Sequence, residues 1–162
     1  MITLKLYHGS NVEVRNPKIF NILRAMDFGP GFYLTTSEQQ AGRWAKVVTR
    51  RRAKGEPIVN IYEFDESKIE NIEILKFEIP NEEWLDFVVD NRKAVAVTDV
   101  YDLVIGPVAN DSTLPVIDGY MDGIYTTQEA VKRLLPQRLT DQYAFLTDKA
   151  LGLLNFERSV VL

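Results

Sequence analysis

The chain has 162 residues, no cysteine, 46% hydrophobic and 26% charged residues, and a net charge of -4 with a pI near 5.1. That length suits one domain with a substantial core, and the lack of cysteine removes disulfides, thiol nucleophiles and the usual structural zinc sites. The acidic balance argues against a protein that grips nucleic acid mainly through phosphates; with no basic-then-apolar leader and no bilayer-length apolar stretch, a soluble cytoplasmic protein without membrane partners is expected.

In chain order, Ile2 to Tyr7 alternates apolar and polar side chains, the mark of a half-buried strand. It should end at the turn-prone cluster His8-Gly9-Ser10-Asn11, which carries the chain's one histidine. Phe20 to Met26 reads either as a short helical turn or as part of a long excursion. The glycine-rich Asp27-Phe28-Gly29-Pro30-Gly31 comes next, and then a second strand, Phe32 to Thr35. Gly29 and Gly31 permit positive φ and Pro30 fixes its own, so this loop is short, stiff and bare. Phe32 and Tyr33 then point to opposite faces, one into the core and the other toward whatever the loop encloses.

Ser37 is a predicted N-cap, with Glu38 in the first turn of a helix running to about Lys54. Ala41, Trp44, Ala45 and Val48 fall at helical spacing and are expected in the core. Arg50, Arg51, Arg52 and Lys54 crowd its C-terminal end, where the dipole favours cations, and Gly55 stops it. In an acidic protein that cluster reads as a solvated helix end before it reads as a nucleic-acid patch.

Further strands are expected at Ile58 to Phe64 and at Ile72 to Phe77. Pro80 and Asn81 introduce a helix with a buried stripe of Trp84, Leu85, Phe87 and Val88. Tyr101 to Gly106 is nearly all apolar, which predicts a central strand, and the loop Pro107 to Pro115 contains Asp111. Residues 116–125 are ambiguous between helix and loop. Thr127 caps a further helix that Pro136 closes. Asp141 to Thr147 is a last central strand, Asp148 to Leu154 a short helix, and Phe156 to Leu162 an edge strand. No repeat or linker divides the chain, so residues 1–162 read as a single domain.

Several familiar chemistries are excluded. Asp27-Phe28-Gly29 has the look of a kinase triplet, but the upstream phosphate loop, strand lysine and catalytic loop are missing. The Gly29-x-Gly31 pair lacks the third glycine of a dinucleotide fingerprint. One histidine and no nucleophile elbow rule against a hydrolase triad, and the lone histidine makes a catalytic metal unexpected. Taken singly, His8 at a strand end, Tyr33 beside a turn and Gln142 in a strand have ordinary structural readings.

Together, Tyr7-His8-Gly9-Ser10, Gly31-Phe32-Tyr33-Leu34 and Asp141-Gln142-Tyr143 resemble the three signature strands of the ADP-ribosyltransferases with a His-Tyr-Glu pattern, the diphtheria-toxin and poly(ADP-ribose)-polymerase branch. Over nearly its full length the chain is also similar to an uncharacterised bacterial family of that superfamily, with YHGS and DFGxGFYLTT near the start. The resemblance implies an α+β fold: two packed, mostly antiparallel sheets with flanking helices around an NAD cleft. It implies transfer of ADP-ribose from NAD, with no metal, to an unknown macromolecule. His8 would hydrogen-bond the adenosine ribose, the Gly9 backbone would clamp the nicotinamide carboxamide, and Ser10 would lie near the nicotinamide ribose. Gly31 would belong to the same NAD-binding wall, and Tyr33 would stack on the nicotinamide ring. The catalytic set would be His8, Tyr33 and Gln142.

The sequence departs from that pattern at Gln142, which stands where the family has glutamate. Glutamine can hydrogen-bond a ribose hydroxyl but supplies neither negative charge nor a proton acceptor. Three outcomes stay open. They are mono-ADP-ribosylation of an undemanding acceptor, substitution by a nearby acid (Asp141, Asp111 or Asp27), and a catalytically inactive NAD or nucleotide-binding module. An RNA-directed member of the same fold is a further alternative. The resemblance also implies a toxin of a toxin–antitoxin system, partnered by a small helical antitoxin.

Overall fold

A computed structural model of the chain describes residues 3–19, 27–93, 101–109, 112–137 and 139–162. Ile2, the segment Phe20 to Met26, and Asp111 lie outside these residues. The described strands form one seven-stranded sheet in the order β4-β5-β6-β2-β1-β3-β7. They are β1 (Thr3–Ser10), β2 (Phe32–Thr35), β3 (Ile58–Asp65), β4 (Ile74–Lys76), β5 (Leu103–Pro107), β6 (Asp141–Phe145) and β7 (Leu154–Val161). The helices are α1 (Glu38–Arg52), α2 (Glu82–Arg92), α3 (Leu114–Met121), α4 (Thr127–Leu134) and α5 (Asp148–Leu151). Only β4 and β5 run parallel, joined through α2; every other neighbouring pair is antiparallel.

One sheet replaces the two expected. The reason lies at its middle, where β1 and β2 meet in a single residue pair, Tyr7 with Thr35. On one side, β1 pairs with β3 over its whole length, from Thr3 with Asp65 to Ser10 with Ile58. On the other, β2 pairs residue for residue with β6, from Phe32 with Phe145 to Thr35 with Gln142. That one pair joins two otherwise separate ladders, and the sheet has a seam there.

Side-chain alternation gives the sheet two faces. One carries Leu6, Phe32, Leu34, Tyr62, Phe64, Leu103, Tyr143 and Phe145, packed with Ala150 and Leu151 of α5. The other is covered in two parts. Ala41 of α1 packs on Val59 and Ile61, beside Tyr7. Trp84, Leu85 and Val88 of α2, Ile117 of α3, and Ala130 and Leu134 of α4 pack with Phe28, Val104 and Ala144. The buried indole of Trp84 donates Nε1–H to the Pro107 carbonyl at 2.9 Å, which ties α2 to the end of β5.

Helix boundaries are set by the caps. Ser37 accepts from the Gln40 amide and Asn81 from the Trp84 amide, each satisfying a first-turn donor worth about 1 kcal/mol. The predicted cap Thr127 is displaced by one: Thr126 accepts from the Glu129 amide and Thr127 is the first helical residue. The ambiguous stretch is resolved as α3, with Pro115 in its first turn. The predicted fourth strand shortens to Ile74–Lys76, and the last helix to Asp148–Leu151. The tail is the edge strand expected, beginning earlier at Leu154.

Two further expectations are corrected. Trp44, assigned to the core by periodicity, is 45% exposed, because the buried faces of Ala41, Ala45 and Val48 already meet the sheet. The cluster after Tyr7 does not turn: β1 runs on through Ser10, since Asn60 of β3 ties down the chain from His8 to Val14. Asn60 is fully buried; its Oδ1 accepts from the Val14 amide, and its Nδ2 donates to the His8 and Val12 carbonyls. The all-apolar β5 is buried at every residue, as a central strand would be, yet it stands one place from the β4 edge.

Candidate functional site

The seam brings the three signature segments together, since β1, β2 and β6 are neighbours. Pairing across the sheet sets a row on one face: Tyr7 beside Thr35, Thr35 beside Gln142, and Gln142 beside Gly106. Tyr33, two residues before Thr35, shares that face and packs against the cluster under α2. The row lies between the two helical layers, α1 over Tyr7 and α2 to α4 beyond Gly106. A bond from the Thr140 hydroxyl to the Gln40 side-chain oxygen links α1 to the start of β6 across this valley.

Gln142 is 7% exposed, and its side-chain Nε2 has no hydrogen-bond partner among the described residues. A buried amide donor left unpaired costs about 1–3 kcal/mol, so its presence calls for an acceptor. Its cross-strand neighbours do not supply one: Thr35 Oγ1 already accepts from the Ser37 amide at 3.1 Å without reaching Gln142 Nε2, and Gly106 has no side chain. A Cβ at Gly106 would stand 3.1 Å from Phe77 and 3.3 Å from Phe28, so aromatic rings close that end of the row.

Tyr33 is held by the loop before it. Its hydroxyl donates to the Gly29 carbonyl at 2.6 Å and accepts from the Phe28 amide at 2.9 Å. Burial, helped by the Asp27 charge, pushes its ionisation above the usual tyrosine range despite the Phe28 amide. Gly29 adopts φ +96°, the left-handed region that favours glycine. Gly31 serves a different end from the one predicted: its φ is not positive, and a Cβ there would lie 2.7 Å from the Phe145 carbonyl. Arg92 at the end of α2 donates Nε–H to Asp27 at 2.8 Å, fixing the loop from the other side.

His8 is on the opposite face. Its ring stacks on Phe32 with centroids 4.1 Å apart, and its Nδ1 lies 2.6 Å from the Tyr33 carbonyl. Since a carbonyl only accepts, Nδ1 carries the proton and Nε2 is left as an acceptor. Burial lowers its pKa to about 4, and the Arg52 charge adds to this against the Tyr33 bond, so the ring is neutral at physiological pH. His8 thus contacts Tyr33 through the backbone across the seam, while Tyr33 and Gln142 share a face.

The remaining predicted residues divide. Gly9 is buried against α1, where a Cβ would fall 2.1 Å from the Ala41 carbonyl oxygen. Ser10 is buried, its hydroxyl accepting from the Val12 amide at 3.4 Å. None of the described substitute acids joins Gln142. Asp27 is paired with Arg92, and Asp141 alternates to the other face of β6, where burial raises its pKa and Lys76 and Glu78 are the charges felt. Sequence reasoning missed Thr35, Gly106 and the Gln40–Thr140 link, because cross-strand register leaves no mark in one strand's pattern. Two surface concavities, about 320 and 540 Å³, are lined by other residues: Val131 and Leu135 of the α4 region, and Arg43 and Lys46 of α1 with Leu162. Among the described residues no helix is long and apolar enough to cross a membrane, and no cluster of metal-ligating side chains occurs.

No curated protein matches the chain, and no solved structure does. The family described as "Protein of unknown function (DUF3990)" matches residues 4–156, which spans the seam, the row and the glycine loop. The chain belongs to this family.

Proposed function

We propose that the protein is an NAD-dependent mono-ADP-ribosyltransferase acting on a macromolecular target, with the β1–β2 seam and the Gln142 row as its NAD site. The observation that carries this reading is the unpaired Gln142 Nε2, buried in the valley between two helical layers. An amide donor there fits a ribose hydroxyl as acceptor. The glycine loop holds Tyr33 rigidly beside the row, and neutral His8, on the opposite face, acts on the site through its bond to the Tyr33 carbonyl. NAD would supply the activated glycosidic bond. The chain's own part is to orient the ribose and exclude water. Isotope-labelled NAD incubated with protein and a cell lysate should transfer label to a macromolecule and release nicotinamide. If neither happens at high protein concentration, the transferase reading is wrong.

A second reading, a catalytically inactive NAD or nucleotide-binding module, is favoured by the placement of the acids. Gln142 carries no charge, Asp27 is committed to Arg92, and Asp141 is on the other face. Gln142→Glu separates the two. A transferase limited by the missing carboxylate gains NAD hydrolysis, and one whose glutamine is tuned to its task loses turnover; no hydrolysis in either form, with NAD still bound, means the module only binds.

A further inference from the structure

Residues 43–54 hold six of the chain's 19 Lys and Arg and none of its 23 Asp and Glu, leaving 13 cations against 23 carboxylates elsewhere. The charge is therefore strongly segregated: a positive stripe along α1 on a body whose own balance is -10. Arg43, Lys46, Arg50, Arg51 and Lys54 are all exposed, and none takes part in an ion pair among the described residues. By contrast Lys5, Arg15, Lys68, Lys76 and Arg92 each have a carboxylate.

The exposed indole of Trp44 belongs to the same stripe. The Arg51 guanidinium sits 5.4 Å from its ring centroid, seven residues on and so two turns along the same line of the helix. Arg43 and Arg50 repeat that spacing on the adjacent line. Gln40, one turn before Trp44 on the same flank, bonds to Thr140 at the start of β6, so the stripe leads into the valley that holds Gln142.

We infer that this flank of α1 is a docking surface for single-stranded nucleic acid. Cations at one-turn and two-turn spacing track a phosphate backbone, and an exposed aromatic ring among them offers a platform for a base. An acidic peptide would use the cations and leave Trp44 idle. A membrane surface would need a broader apolar face than Trp44, the half-buried Val47 and the exposed Leu162 beside Arg43 and Lys46 provide. The inference deepens the proposed function by naming the acceptor class, but docking itself requires no NAD.

The two tryptophans make the test direct, since Trp84 is fully buried and Trp44 is 45% exposed. An oligouridine of about 12 nucleotides should quench the Trp44 emission at low salt, with affinity falling as salt rises. Arg43→Glu with Arg50→Glu should reduce the slope of log affinity against log salt by about 1.4, at about 0.7 per lost phosphate contact. Trp44→Ala, read against wild type by the anisotropy of a dye-labelled oligouridine because the variant lacks the reporter ring, should weaken binding about 5- to 150-fold and leave that slope unchanged. Because these side chains are exposed, Trp84 emission should stay native in every variant. Three results would overturn the inference: no quenching, equal binding to polyglutamate or phosphatidylserine vesicles, or equal binding to duplex without quenching. Quenching without label transfer from NAD would uphold docking and count against the transferase reading alone.

Discussion

Gln142, His8 and Tyr33 each make a measurable claim at the scale of a single residue. The unpaired amide of Gln142 is a cost carried by the free protein, so Gln142→Leu should raise stability by about 1 kcal/mol in denaturant unfolding. The same change should abolish NAD turnover, the pattern of a residue retained for a ligand. His8 has a folded-state pKa of about 4 against 6.5 for the free side chain, so below 6.5 the unfolded chain binds a proton that the folded one refuses. Its contribution is present in full above pH 6.5 and is lost as pH falls toward 4, up to about 3 kcal/mol. Unfolding midpoints measured between pH 7.5 and 4.5 should show that loss, and His8→Gln should flatten it. Tyr33→Phe removes both hydroxyl bonds to the glycine loop and should cost about 1–3 kcal/mol, read by unfolding.

Among elements, α1 shows how two similar side chains acquire opposite fates. Trp44 and Trp84 both fall at apolar positions of a helical pattern, yet the sheet accepts Trp84 and leaves Trp44 outside. Trp84→Ala should therefore cost about 3–5 kcal/mol, while Trp44→Ser should stay within about 0.5 kcal/mol, in parallel thermal melts. The close seat of α1 on β1 depends on Gly9, where any Cβ meets the Ala41 carbonyl and the Ala45 amide nitrogen, at 2.1 and 2.8 Å. Periodicity located α1 and α2 because each buries a stripe; it misjudged the width of the stripe on α1. The caps at Ser37 and Asn81 were legible because they are local chemistry, a side-chain oxygen three residues ahead of an unpaired amide.

For the whole molecule, the seam is the distinguishing feature. Two ladders joined by the Tyr7–Thr35 pair should open there before anywhere within either ladder. Amides of β2 that face β1 should exchange hydrogen at least about tenfold faster than those that face β6, and equal protection would remove the seam as a line of weakness. A ligand spanning it should slow the exchange on both sides. The charge map has the same scale: the α1 stripe stands out only because the rest of the chain is so acidic.

The sequence by itself determined the α+β class, the strands at Phe32 to Thr35 and Ile58 to Phe64 (one residue short of the observed end at Asp65), both main helix starts, and the candidacy of His8, Tyr33 and Gln142. These rest on period, cap chemistry and motif, which are written locally along the chain. Tertiary structure alone decided that the strands form one sheet, that His8 lies on one face and Tyr33 with Gln142 on the other, and that Trp44 is outside. Those outcomes depend on which strands pair and in what register. A register is set by contacts between residues far apart in the chain, as Tyr7 with Thr35 and Phe32 with Phe145 show, and neither segment's own pattern contains it.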